Sequence, residues 1–204
     1  MTALYWCVRT ATRAAFSATG SWEVIGPEKR LESGGAIIAA NHASFLDPPI
    51  VASAYEREIA FLARRTLFKG IGGWLYPKLN AFPIDRDHAD LKSMKTILSK
   101  LRDGNRVLMF PEGTRTTDGK LQSAKPGLGM LVAKSAVPVQ PVRIFGTFEA
   151  WPRHGKFRPK KITVVIGDPV DFKKADLREK SRESYQRISD QIMAAIGDLT
   201  VDRA

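Results

Sequence analysis

Apolar residues along this chain fall in short dense runs, separated by longer stretches of helical spacing. Seven runs read as strands: residues 22–25, 36–40, 59–63, 81–84, 107–110, 139–144 and 162–166. Helical patterns follow Asp47, occupy 67–79 around the glycines of 70–73, and cover 89–102. Two more begin near Pro126, a favoured first-turn residue, and near Ser184. The last sets Tyr185, Ile188, Ile192 and Ile196 on one face, the spacing of a helix packed on a core. The charged run 173–182 reads as a solvated approach to it. This alternation predicts an α/β fold in one domain, with a mostly parallel or mixed sheet flanked by helices. A length of 204 residues suffices to bury a sizeable core.

Residues 1–20 stand apart from the domain, 21–204, as a short amphipathic N-terminal helix. Leu4, Val8, Ala11 and Ala15 follow helical spacing; Tyr5, Trp6 and Phe16 add bulk, and Arg9 and Arg13 place charge one turn apart. Aromatics beside arginines suit the headgroup boundary of an acidic membrane. A helix packed on the domain has the same pattern. No apolar segment reaches the ~20 residues that a bilayer crossing needs, and Arg9 and Arg13 break the stretch a signal peptide would require. Cys7, the sole cysteine, excludes an internal disulfide framework and reads as a small buried apolar side chain. Trp22, Trp74 and Trp151 read as core or interface fillers.

Charge narrows the partners. With 32 Lys and Arg against 21 Asp and Glu the net charge is +11, which favours nucleic acid, an acidic membrane surface or a phosphorylated small molecule. The basic stretch 153–161, with Phe157 interleaved, matches no nucleic-acid-reading element, so a nucleic-acid-binding module is the weaker reading. No His, Cys and carboxylate group has metal-ligand spacing, and no metal is expected.

Chemistry collects at predicted strand ends, where open α/β sheets bind ligands. Asn41-His42-Ala43-Ser44-Phe45-Leu46-Asp47 follows the second strand. A carboxylate on His42 Nδ1 would fix the tautomer and leave Nε2 as a base; a histidine and an aspartate capping the next helix would have the same spacing. Ser44 reads as a turn residue, since Gly-x-Ser-x-Gly is absent. Phe82-Pro83-Ile84-Asp85-Arg86-Asp87 sets an arginine between two acids. Phe110-Pro111-Glu112-Gly113-Thr114-Arg115 crowds a carboxylate, a glycine turn, a hydroxyl and a guanidinium together. Arginine suits phosphate through paired hydrogen bonds, and Lys125 adds charge just before a helix start. Backbone amides near His42 or Gly113 are candidate donors to a developing oxyanion. Val137-Pro138-Val139-Gln140-Pro141-Val142 reads as an edge strand or an entry turn.

In this order, these four segments resemble the motif blocks of the glycerolipid acyltransferases, nearest to the lysophosphatidate (1-acylglycerol-3-phosphate) acyltransferase branch. The similarity spans roughly 22–170. It implies transfer of a fatty acyl chain from acyl-CoA or acyl carrier protein to the free hydroxyl of 1-acylglycerol-3-phosphate, a step of phospholipid biosynthesis. The donor would be a substrate, with no cofactor beyond it. The resemblance makes His42 the general base and Asp47 its orienting partner. Arg86 and Arg115 would hold the acceptor phosphate, with Gly113 and Thr114 shaping the turn and Glu112 positioning acceptor or arginine. Pro138 would shape the acyl side. Ala63-Arg64-Arg65-Thr66-Leu67 stands where relatives often carry Lys-Lys-Glu-Leu, so Arg65 keeps a charge but not the geometry. Expected partners are lysophosphatidate, the acyl donor and an anionic membrane, at whose cytosolic face the chain would sit peripherally. Another lyso-lipid acceptor, or a lipid-binding module without turnover, are the alternatives.

Overall fold

The computed structural model describes residues 2–18, 21–84, 91–172 and 174–201. Its elements run in the order α1 (Ala3–Ala18), β1 (Trp22–Ile25), β2 (Ala36–Ala40), α2 (Asp47–Ala54), β3 (Ile59–Arg64), α3 (Ile71–Lys78), β4 (Ala81–Ile84) and α4 (Leu91–Arg102). There follow β5 (Arg106–Met109), α5 (Pro126–Ser135), β6 (Val139–Phe145), α6 (Thr147–Ala150), β7 (Ile162–Ile166), α7 (Lys174–Arg178) and α8 (Arg182–Gly197). The strands form one mixed sheet ordered β1-β7-β6-β2-β5-β3-β4, in which only the β6–β7 pair is antiparallel. The α/β expectation therefore holds.

Alternation along the strands divides the core in two. Ile37, Ala39, Ala60 and Val107 point to the layer of α4, α5 and α8, where they meet Ile97, Leu101, Leu131, Ile188, Ile192 and Ile196. Ile38, Ala40, Ile59 and Leu108 point the other way, onto Ile50, Val51 and Ala54 of α2. The crossover through α3 progresses across the sheet in the same direction as that through α2, so right-handedness puts α3 on the α2 side. Since β2, β5, β3 and β4 are mutually parallel neighbours, their carboxyl ends share one edge of the sheet.

The structure departs from the sequence reading at several points. The expected helix 67–79 is broken: Arg65–Phe68 is a 3-10 turn, and α3 starts only at Ile71. The charged run before α8 contains the short α7, whose Leu177 packs on the core. β6 is interior, not an edge strand. It tolerates Pro141 because three residues of the β7 side, 167–169, oppose two of β6 between the Val142↔Ile166 and Val139↔Val170 pairs. That bulge leaves Pro141 only an acceptor's task, taken up by Gly167 N–H (2.9 Å).

The N-terminal helix is turned opposite to its apolar pattern. Tyr5 and Arg9 are its buried residues, while Val8, Ala11 and Ala15 face outward. Arg9 donates to Tyr55 O through Nε and Nη2 (2.9 and 2.6 Å) and reaches Glu56 Oε2 at 3.1 Å. Arg13 also pairs with Glu56 (3.2 Å), and Tyr5 Oη accepts from Ile59 N–H (3.0 Å). The arginines expected to meet headgroups are thus spent on docking α1 to the domain. Cys7 is exposed, not buried, and Trp74 is 60% exposed, not a core filler.

Candidate active site

β2 ends in a loop held by side chains rather than by a ladder. Asn41 substitutes for a further residue of strand: its Oδ1 accepts from Ile144 N–H (2.7 Å) and its Nδ2 donates to Ile144 O (3.0 Å). Asp47, fully buried in the first turn of α2, then collects the loop onto one oxygen. Its Oδ2 accepts from Ala43 N–H and Ser44 N–H, both at 2.7 Å, and lies 2.7 Å from His42 Nδ1. An acceptor there assigns the ring hydrogen to Nδ1 and leaves the lone pair on Nε2. Nε2 makes no hydrogen bond among the described residues. The ring is stacked on Phe110, with centroids 3.8 Å apart and planes 10° from parallel. Phe110 packs against the α2-side cluster, so the imidazole sits on that flank of the sheet edge.

Ser44 has a different task. It is buried; its hydroxyl donates to Trp151 O (2.7 Å) and accepts from Leu46 N–H (3.2 Å). It braces the turn and does not act as a nucleophile for the histidine.

The 110–116 turn is bolted to the histidine's own backbone. His42 N–H donates to Glu112 Oε1 (3.0 Å), and His42 O accepts from Thr116 N–H (2.9 Å). Glu112 Oε2 accepts from Gln122 Nε2 (2.8 Å), which also reaches Thr114 O (3.2 Å). Burial pushes the Glu112 carboxyl above its ordinary range, against the pull of the His42 and Gln122 hydrogen bonds and with a push from Asp47. Glu112 therefore carries the loop of His42, a task additional to the positioning of acceptor or arginine expected of it. The amides of His42, Ala43, Ser44 and Gly113 are all engaged within the protein.

Cations stand on the outer side of the same turn. Gly113 has φ +71°, and a Cβ there would lie 3.0 Å from Lys125 Cδ and 3.3 Å from Nζ. Glycine thus supplies the left-handed turn and the room for the lysine to cross it. Arg115 spreads over the ring of Phe45, with Cζ 3.5 Å from the centroid. Thr114 is half-buried beside it. Arg65, exposed in the 3-10 turn after β3, lies on the same edge, two strands from β2 and so roughly 10 Å across at ordinary strand spacing. Arg86 lies outside the described residues; β4, which precedes it, also ends on this edge. Pro138 does not join the group. It is exposed at the opposite edge, where its carbonyl accepts from Ile37 N–H (3.0 Å), five residues or roughly 17 Å of strand from His42.

Sequence reasoning missed Gln122, Thr116 and Phe45. A glutamine and a threonine after an Arg-containing turn carry no pattern of their own. Phe45, between the histidine and the aspartate, was legible only as a neighbour.

Comparison with known proteins gives a consistent set of relatives. The profile of the family described as Acyltransferase matches residues 21–145. The chain is 31% identical over 147 residues to a chloroplastic 1-acyl-sn-glycerol-3-phosphate acyltransferase of Arabidopsis thaliana, covering 70% of this chain and 41% of that protein. It is 27% identical over 197 residues to the 1-acyl-sn-glycerol-3-phosphate acyltransferase of Bacillus subtilis, covering 93% and 95%. The chain spans less than half the length of the two plant proteins that it matches from Arabidopsis and Brassica napus. Among solved structures it is similar to the 1-acyl-sn-glycerophosphate acyltransferase PlsC of Thermotoga maritima, with TM-score 0.77, 29% identity, and coverage of 98% of this chain and 81% of that one.

Proposed function

Because the chain belongs to the Acyltransferase family, we propose that it moves a fatty acyl group from acyl-CoA or acyl carrier protein to the free hydroxyl of 1-acylglycerol-3-phosphate, yielding phosphatidate. The observation that carries this reading is the joint between the two loops. His42 is oriented by Asp47 at 2.7 Å, and the cation-bearing turn hangs from His42's own amide and carbonyl. A base and an anion grip held in fixed register suit an acceptor with an alcohol at one end and a phosphate at the other. The relatives' names point to the same acceptor.

In the reaction, His42 Nε2 takes the hydroxyl proton as the acceptor oxygen bonds to the thioester carbonyl carbon. The tetrahedral intermediate then expels the thiolate, which leaves as thiol with the proton carried by the imidazolium. Asp47 holds the ring in place and balances its transient charge. Help of this kind is typically worth about 10²–10⁴-fold. Arg115 and Lys125, with Arg65 on the same edge and Arg86 of the segment that follows β4, hold the phosphate, and Thr114 borders it. The donor is a substrate, and neither a metal nor a further cofactor is part of this scheme. Among the described residues no group of three His, Cys, Asp or Glu could hold a metal ion.

Attachment to a membrane surface is the second element of the reading. No described helix is long and apolar enough to cross a membrane. The outward face of α1 carries Ala3, Cys7, Val8, Ala11, Ala14 and Ala15, while Arg9 turns inward and Arg13, exposed on the flank, pairs with Glu56. That face suits a shallow position at the cytosolic leaflet.

The test is an assay of purified protein with a panel of lyso-lipids and both donor types, with products read by mass. Phosphatidate formed by the parent and lost in His42→Ala supports the proposal. Preference for a lyso-lipid without a terminal phosphate overturns the acceptor, and parental turnover in His42→Ala overturns the base.

A further inference from the structure

The segment Arg65–Lys78 has a surface that acyl transfer does not explain. From Ile59 to Ile84 the chain has four cations and no acidic residue. In the folded molecule three of its large apolar side chains point outward: Ile71 is 82% exposed, Trp74 60% and Leu67 46%. Ile71 and Trp74, three residues apart, share one face of α3, whose other exposed positions are Gly73 and Pro77, with Gly70 exposed just before it. Arg64 and Lys69 flank this uncharged strip, and Lys78 Nζ sits 3.8 Å from the centre of the Trp74 ring.

This surface is built, not frayed. A Cβ at Gly72 would stand 1.9 Å from Leu67 O, so the 3-10 turn is seated directly against the helix at a distance only glycine allows. Phe68 packs on Tyr76 beneath it, with ring centroids 5.4 Å apart. The Thr2 hydroxyl donates to Lys78 O, tying the start of α1 to the end of α3. Both helices lie on the α2 side of the sheet.

We propose that Arg65–Lys78 is a preformed docking surface for an anionic bilayer, separate from the outward face of α1. A rigid apolar strip rimmed by cations and free of acids meets both demands of such a leaflet, hydrocarbon below and negative headgroups above. Tryptophan with lysine on its ring is suited to the boundary between the two. A second copy of this chain is a poor occupant, because a two-fold contact would bring Arg64, Lys69 and Lys78 against their own like charges. The surface follows β3, whose carboxyl end shares the edge with His42. On the acyltransferase reading above, docking there brings the site to the headgroup plane.

The test reads binding without any substrate, so it stands or falls apart from the acyl-transfer assignment. Full-length protein is titrated with phosphatidylglycerol-containing vesicles, and its tryptophan emission is followed against vesicles of brominated lipid. The Ile71→Asp/Trp74→Ala double variant should bind at least roughly tenfold more weakly, with an unchanged melting temperature. Brominated chains should quench the parent more than Trp74→Phe. Lys69→Glu should weaken binding at low salt and converge with the parent at high salt. Parental vesicle affinity in the double variant, or equal quenching of the parent and Trp74→Phe, overturns the proposal. So does a concentration-dependent dimer of the parent that the double variant abolishes while vesicle binding persists.

Discussion

Two buried polar clusters stand at opposite ends of the same central strands, and they are finished differently. At the amino end, Gln140 is fully buried and uses all of its side-chain capacity. Its Nε2 donates to Lys29 O and Gly167 O, and its Oε1 accepts from Leu31 N–H (2.9 Å) and Tyr55 Oη–H (2.8 Å). Nearby, Arg106 donates to Glu32 O (2.9 Å) and Glu58 O (3.2 Å). At the carboxyl end, His42 Nε2 makes no hydrogen bond and Asp47 Oδ1 is buried without one, among the described residues. A cluster kept for stability alone gains by closing every valence. Among the described residues, Arg30 Nε and Glu58 Oε1 near the amino end are also buried without a partner. What sets the carboxyl end apart is therefore the basic lone pair held on His42 Nε2, a group that can act on something.

The contrast is broken or sharpened by substitutions at each end. The largest effect belongs to His42→Ala, which should lower kcat by about 10²–10⁴-fold while leaving the thermal midpoint near the parent's. Asp47→Asn should follow it in kcat, because the amide no longer enforces the Nδ1–H tautomer; parental turnover there would sink the orienting role. Next is Gln140→Leu, which orphans four partners, the Gly167 carbonyl and the Tyr55 hydroxyl among them buried, and should cost about 2–4 kcal/mol in denaturant unfolding. The surviving folded protein should turn over normally. A drop in kcat with unchanged stability would mean that the two ends are not functionally distinct.

A smaller change is expected at the rim. Arg115→Ala should raise KM for the phosphorylated acceptor more than for the acyl donor, and Lys125→Ala should do so more weakly. The reverse ranking of substrates reassigns those cations to the donor. The smallest effect is a pH trend. The folded Glu112 carboxyl holds its proton more tightly than the unfolded one. Its contribution is therefore complete below the ordinary glutamate pKa, about 4.3, and is lost as pH rises through the raised folded value. The melting temperature of the parent should thus fall relative to Glu112→Gln across that window, and a difference independent of pH would contradict it.

Much of the frame was legible in the residues because strand alternation and helix spacing are local signals. Four of the seven strands have the bounds the apolar runs indicated, β3 and β6 are one residue longer, and β5 is shifted by one residue. What was not legible depended on contacts far apart in sequence. The apolar stripe of α1 suggested one buried face, yet Arg9 finds the Tyr55 carbonyl and Glu56, and the helix turns over to satisfy them. The structural task of Glu112 was not legible, because nothing in its motif reveals that His42 N–H lies 70 positions away and within reach. Pro138 and Pro141 suggested an edge, since the bulge that shelters Pro141 involves residues 167–169.

The clamp on His42 from both sides of its peptide group also has a meaning for engineering. The loop after β2 and the turn after β5 form one heritable unit, though the chain separates them widely. A change of acceptor attempted by transplanting the 110–116 turn alone would drag the histidine off its aspartate. Exchanges between relatives should move 41–47, 110–116 and Gln122 together, or leave all three in place.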